Sequence, residues 1–409
     1  YELIVNNTVS VALADTPNDP NPVILPGRAV REIGFAPDEA LLPWPARGFA
    51  GFRLLTEYFA FPEKFLFVEL AGLEAKTLVS GGNRLEIFLY LDRAMPELER
   101  LVGAEALALG CTPVVNLFPH RCDPLALEGT SAELRVVPDA RRPTALEVWS
   151  VDAVRESRPG SPARVWRPFY RLDPASPPEA EAEAPRYQVV RRAATPPLPG
   201  TDVHVALADP MFDPDRPADS TLSIDATCCN RDLPASLPFG GGRPRLTPVE
   251  GLGGVAGLAM LTAPTPTLRR TAREGGHWAL VSHLALNHLS VTGGAQGAEA
   301  LREILRLYDL RDLPETRAAI EGVVSVTAEP GVARAPGGRM GAFVSGLDVR
   351  LTLDPRAFPQ GAFLFASVVE RFLALHASVN SFVRLTAAFA GRPGAIRTWP
   401  PRAGAEPLL

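Results

Sequence analysis

The chain has 409 residues, 46 % of them apolar and 21 % charged, with a net charge of -5. That length exceeds what one hydrophobic core usually supports, so two or three domains are expected, and the composition belongs to a folded chain rather than a disordered one. The acidic balance gives no electrostatic case for nucleic acid or an anionic membrane surface, and four cysteines are too few for a disulfide scaffold, which points to a reducing cytoplasm.

Proline makes up 42 residues, about twice the usual share, and falls between short apolar runs through the first 240 or so positions. This is the punctuation of strands and loops. Strands are expected at Phe65 to Leu70, Leu85 to Leu91, Leu134 to Val137, Ala145 to Val151, Val203 to Leu207 and Leu222 to Thr227. They suggest a β-rich, sandwich-like domain over 46–240. Residues 172–186 are Pro, Glu and Ala-rich with nothing large to bury, so they read as an exposed excursion. The Gly and Pro density of 230–245 marks a domain boundary.

After that boundary the pattern changes. Gly251 to Leu268 is the longest uncharged run, but four glycines with Pro264 and Pro266 make it a loop and not a membrane span. Trp278 to Leu289 is read as helix, although its Val, Leu and His content also suits a buried strand. Leu301, Ile304, Leu305 and Tyr308 form one helical face that stops before Pro314. Strands are expected at Gly322 to Ala328 and Ala342 to Leu353, then a long helix from about Gly361 to Ala390. Residues 241–409 thus read as an α+β C-terminal domain.

Sites of chemistry are weakly signalled. His277, His283 and His288 cluster in sequence, but spacings of 6 and 5 keep them off one helical face. Cys111, His120, Cys122 and the pair Cys228 and Cys229 contain no C-x-x-C clip of the kind structural zinc needs. Gly251-Leu-Gly253-Gly-Val-Ala256 fits a dinucleotide fingerprint in letters, yet no strand precedes it and prolines follow closely. Phosphate-loop, nucleophile-elbow and H-E-x-x-H signatures are missing from the sequence. No catalytic, cofactor or metal residue is therefore assigned. A metal-dependent enzyme using the His and Cys residues, or a β-sandwich binding module, is the alternative to an assembly role.

Two features concern packing. Trp44, Phe49, Phe52, Tyr58, Phe59, Phe61, Phe65 and Phe67 crowd into 24 residues, a density that suits either a domain core or a subunit contact. Phe365, Val368, Phe372, Leu375, Val379 and Phe382 step by 3, 4, 3, 4 and 3, the seam that a partner helix or the domain's own sheet could grip. The candidate partner-interface residues are Phe52, Tyr58, Phe59 and Phe61 with those six.

Several stretches carry a resemblance. Leu41-Leu-Pro-Trp-Pro45 and the run Gly51 to Phe67 come first, followed by Gly110 to Phe118, Arg135 to Pro143, Asn230 to Pro234 and Leu237 to Gly242. Ser282 to Ser290, Leu301 to Tyr308, Ala377 to Phe382 and Trp399 to Gly404 complete the series. In this order they resemble the TssF (VasA/ImpG) family of type VI secretion baseplate subunits, over essentially the whole chain. Tyr1 to Asn7 resembles an internal segment of the family, which implies that 1–45 continue an N-terminal region. The resemblance implies an α+β multidomain protein, similar to wedge proteins of contractile phage tails. It implies a structural wedge in the cytoplasm, docked at the inner-membrane complex, that joins TssG, TssK and other TssF copies to support polymerisation of the tail sheath and tube. No cofactor, nucleic acid or membrane insertion is implied.

Overall fold

The computed structural model describes residues 1–45, 48–73, 84–127, 131, 133–170, 177–195, 200–211, 219–251, 253–269, 294–334, 343–377 and 381–404. The chain forms two compact units, Tyr1–Val114 with Arg270–Leu409, and Val115–Arg269. One unit is therefore inserted into the sequence of the other. The expected boundaries at 45/46 and 240/241 are corrected accordingly. The reason lies in the core: Leu54, Leu55, Phe59 and Phe65 bury themselves among side chains from beyond residue 290, not among those of 115–240.

The larger unit is built around a sheet in which Val323–Arg334 pairs antiparallel with Phe343–Leu353, which pairs parallel with Phe382–Phe389. Parallel neighbours need a crossover, and the helix Phe363–Ala374 supplies it. Short strands Arg397–Thr398 and Arg402–Ala403 both add to Phe382–Phe389. The helices Gly294–Tyr308, Ala50–Ala60 and Phe363–Ala374 contribute to one core with this sheet. Leu301, Ile304, Leu305 and Tyr308 are all buried, as their spacing predicts.

The long helix expected over 361–390 is not formed. It ends at Ala374, and Phe382–Phe389 is a strand whose buried Val383, Leu385 and Ala387 recur every second residue. A three-four spacing marks one face only where the chain stays helical, and Leu375 and Phe382 lie beyond the helix's last residue, so the seam ran through a change of element. Two further sheets complete this unit: Thr8–Ala14 lies between Val23–Pro26 and Glu86–Leu91, and Val30–Glu32 pairs with Val68–Leu70.

The inserted unit holds one eight-stranded sheet. In spatial order its path runs Phe118–Arg121, Ser220–Cys229, Glu147–Ser157, Arg164–Pro168, Arg186–Ala193, Thr201–Ala208 and Glu133–Arg135, with Leu125–Leu127 beside Ser220–Cys229. The chain leaving the first strand and the chain leaving the last are joined by the bond from Asp123 N–H to the Val137 carbonyl, 2.9 Å, so the two ends of the sheet meet. Val154, Trp166, Tyr187, Val205, Leu222 and Ile224 fill the space it encloses. Within the expected excursion, Pro178–Glu183 forms a short helix. The His277, His283 and His288 group and the segment Trp278 to Leu289 lie outside the described residues.

Candidate assembly surfaces

The aromatic stretch and the heptad seam, read from sequence as two surfaces, are two halves of one interior. The helix Ala50–Ala60 lies against Phe363–Ala374: Phe49 meets Phe372 edge-on at 6.4 Å between ring centres, and Tyr58 meets Phe365 at 6.3 Å. Phe52 stacks on Tyr308 of the helix Gly294–Tyr308 at 5.9 Å. Pairs of this geometry add about 0.5–1.5 kcal/mol each beyond the area they bury. Phe59, Phe365, Val368, Phe372 and Phe382 are at most 3 % exposed, so their sequence assignment to a partner contact is corrected: they offer a partner no surface. Phe52, Tyr58, Phe61 and Leu375 are half-buried, the first two against the same core. Val379 lies outside the described residues.

The polar groups of this interior act as fasteners. Glu57 and Lys64, each 1 % exposed, form an ion pair, and the second carboxylate oxygen of Glu57 accepts the backbone N–H groups of Leu41 (2.9 Å) and Leu42 (2.8 Å). Burial pulls the Lys64 ammonium below its usual range, and the Glu57 carboxylate opposes that pull. The segment Leu41-Leu-Pro-Trp-Pro45 is thus held to the aromatic helix by a buried charge. Arg371 pairs with Glu32 and lies 3.6 Å over the Phe35 ring, while the fully buried Glu370 accepts from Arg402 at 2.7 Å. The pairings of Arg371 with Glu32 and of Glu370 with Arg402 had no sequence signal, because they join residues more than 30 positions apart.

The cysteines are structural in surroundings. Cys122, Cys228 and Cys229 are buried and all four are free thiols. A hydrogen bond to Cys122 and burial push the Cys228 thiol far up, and burial raises Cys229. His120 sits 2.9 Å from the Pro138 carbonyl, a contact within the fold. Among the described residues no group of three His, Cys, Asp or Glu side chains could hold a metal ion, and no helix is long and apolar enough to cross a membrane.

What remains exposed and apolar lies elsewhere. On the sheet of Val23–Pro26, Thr8–Ala14 and Glu86–Leu91, one face buries Val11 and packs Leu25 and Leu89 beside it. The opposite face carries Ile24 and Tyr90, both more than half exposed, together with Phe88, which pairs with Ala12. In the inserted unit Phe169 and Tyr170 are 61 % and 79 % exposed, and a long apolar loop follows the strand Ser220–Cys229. Sequence reading marked the loop as Gly- and Pro-rich and uncharged but missed Ile24, Tyr90, Phe169 and Tyr170, because it sought apolar density and single exposed apolar residues are sparse in sequence.

The family model described as "Type VI secretion system, TssF" matches residues 1–406. The type VI secretion system component TssF1 of Pseudomonas aeruginosa is 36 % identical over 419 aligned positions, which cover all of this chain and 67 % of that relative. Among solved structures, the TssK-TssF-TssG baseplate subcomplex seen by cryo-electron microscopy aligns with a TM-score of 0.76 and 27 % identity, covering all of this chain and 72 % of the matched one. A baseplate complex from the type VI secretion system aligns with a TM-score of 0.55 and 28 % identity over 73 % of this chain and 50 % of that one. With a family match along nearly its whole length and a fold shared with baseplate assemblies, the chain belongs to the TssF family and is a structural component of the type VI secretion baseplate.

Proposed function

We propose that this chain is a wedge subunit that works by protein–protein assembly alone, binding TssG and TssK counterparts and further copies of itself in the platform that supports sheath and tube polymerisation. In this reading it makes and breaks no covalent bond and binds no cofactor. It resides in the cytoplasm, in a baseplate docked at the inner-membrane complex. The observation that carries the proposal is the alignment of the entire chain with a component of the TssK-TssF-TssG subcomplex. The interior supports it too: the aromatic stretch and buried ion pairs fix a rigid body, and rigid bodies lose little conformational freedom when they associate.

Co-expression with the TssG and TssK proteins encoded beside it tests the reading. A ternary complex that survives gel filtration is expected. Recovery of the chain alone, folded and at concentrations where its relatives assemble, would remove the basis of the proposal.

A further inference from the structure

The short helix Glu2–Asn7 is tied to the chain just ahead of the strand Arg397–Thr398, where the Asn6 side-chain amide donates to the Ile396 carbonyl at 3.1 Å. Beside that contact the buried ring of Phe363 is flanked by three side chains. Trp399 stacks on it at 5.8 Å and Tyr1 approaches at 6.1 Å. The Arg397 guanidinium lies over both Phe363 (5.3 Å) and Trp399 (5.7 Å). Each of the three brings a donor that is closed to solvent and meets no acceptor among the described residues: Tyr1 Oη, Arg397 Nη1 and Trp399 Nε1. Buried donors without acceptors are rare, because each costs about 1–3 kcal/mol, and more when charged. Three around one ring call for a shared acceptor.

The surrounding charges decide its kind. Arg371 pairs with Glu32, and Arg402 pairs with Glu370, whose other oxygen lies 3.6 Å from Arg371. The nearby Glu2 carboxylate accepts the Phe363 N–H and feels the charge of Arg93. All of these carboxylates are thereby engaged, while Arg397 has no ion-pair partner among the described residues. The guanidiniums of Arg371, Arg397 and Arg402 against Glu32 and Glu370 leave one positive charge over. Burial pulls Arg397 below its usual value, with Glu32 and Glu370 opposing that pull from a distance. A buried charge persists when a counter-charge compensates it. Water would satisfy the three donors but would leave the charge uncompensated.

We infer that Tyr1, Arg397 and Trp399 hold one small monovalent anion, of chloride size, between the helix Glu2–Asn7 and the C-terminal strands of the larger unit. The ligand class follows from the donors. They are O–H and N–H groups around a single surplus positive charge, which one negative charge neutralises and a polyanion would overshoot. All three donor atoms are closed to solvent, so the ligand is enclosed and small. The anion is a structural ligand: it joins a helix from the start of the chain to strands from its end, and it contributes to folding by mass action.

The test is urea unfolding of the full chain over a range of sodium chloride concentrations, followed by hydrogen exchange of the amides in Phe382–Phe389. Sodium gluconate, too large for an enclosed site, holds the ionic strength and its screening constant. Once chloride exceeds its Kd, each tenfold rise should raise the apparent folding constant of the larger unit about tenfold. Tyr1→Phe and Trp399→Phe each delete one donor and keep an aromatic ring, and should raise the chloride concentration of half effect about threefold or more. Arg397→Met should abolish the response; if that variant does not fold, the two phenylalanine variants decide. A wild-type folding constant that does not depend on chloride overturns the inference and assigns the donors to water. Equal dependence in wild type and in every folded variant means an adventitious ion only, bound elsewhere, and overturns it as well.

Discussion

Lys64 is one of only two lysines in a chain with 41 basic residues, and it is spent in the interior, paired with Glu57. A buried pair contributes modestly as a whole, but removing one partner strands the other's charge, which costs about 3–5 kcal/mol. Lys64→Met is therefore expected to lower the urea midpoint strongly. The double variant Glu57→Gln with Lys64→Met should recover much of the loss, since Gln still accepts the Leu41 and Leu42 N–H groups; equal midpoints for single and double variants would contradict this. Glu147 gives a pH signature. Burial alone would raise its carboxyl, but hydrogen bonds from Arg269 and Thr201 outweigh burial and leave it below its usual value. A lowered folded pKa means stability that is fully present above the unfolded value near 4.5 and is lost as pH falls through the folded one. Urea midpoints of the full chain should therefore drop from about pH 4.5 downward, and Glu147→Gln should flatten that part of the curve.

At the scale of elements, the partnership of Ala50–Ala60 with Phe363–Ala374 was legible only in halves. Composition marked the aromatic stretch and periodicity marked the seam, yet neither says that the two sides face each other across more than 300 residues of chain. The strand Phe382–Phe389 was hidden for a different reason: its first buried residue continued the helical beat, while its Val, Thr and Phe content and its pairing with Phe343–Leu353 decided otherwise. Helix Gly294–Tyr308 was readable because it keeps one period from end to end, and Ser220–Cys229 because its burial alternates along most of its length, whereas Thr8–Ala14, Phe118–Arg121, Arg164–Pro168 and Arg186–Ala193 were not expected from sequence. Phe372→Ala should cost about 3–5 kcal/mol, as for a large side chain deleted from a packed interior. A cycle with Phe49→Ala should return about 0.5–1.5 kcal/mol of coupling. Gly346 tests the strand pairing, for a Cβ there would stand 2.4 Å from the Phe382 carbonyl oxygen. Gly346→Ala should force the two strands apart and lower the thermal midpoint by an amount worth about 1–3 kcal/mol.

For the molecule as a whole, the informative difference is between a boundary drawn from composition near 240 and one drawn from contacts at Arg269. Gly and Pro density does mark the start of an irregular excursion, but irregular chain can still belong to the unit it leaves when its far end is tied back. Arg269 makes the difference concrete: a fragment spanning 115–269 keeps its guanidinium on Glu147 and Asp232, while one ending at 240 leaves Glu147 buried with Thr201 as its described partner. The longer fragment has its own enclosed core and a sheet whose ends meet, so it should fold by itself with a single cooperative urea transition. The shorter one should unfold at markedly lower urea, by about 3 kcal/mol or more for the stranded carboxylate, and Glu147→Gln should narrow the gap by removing the buried charge from both. If the two fragments unfold together, the contacts of Arg269 add nothing to stability and the unit ends where composition placed it.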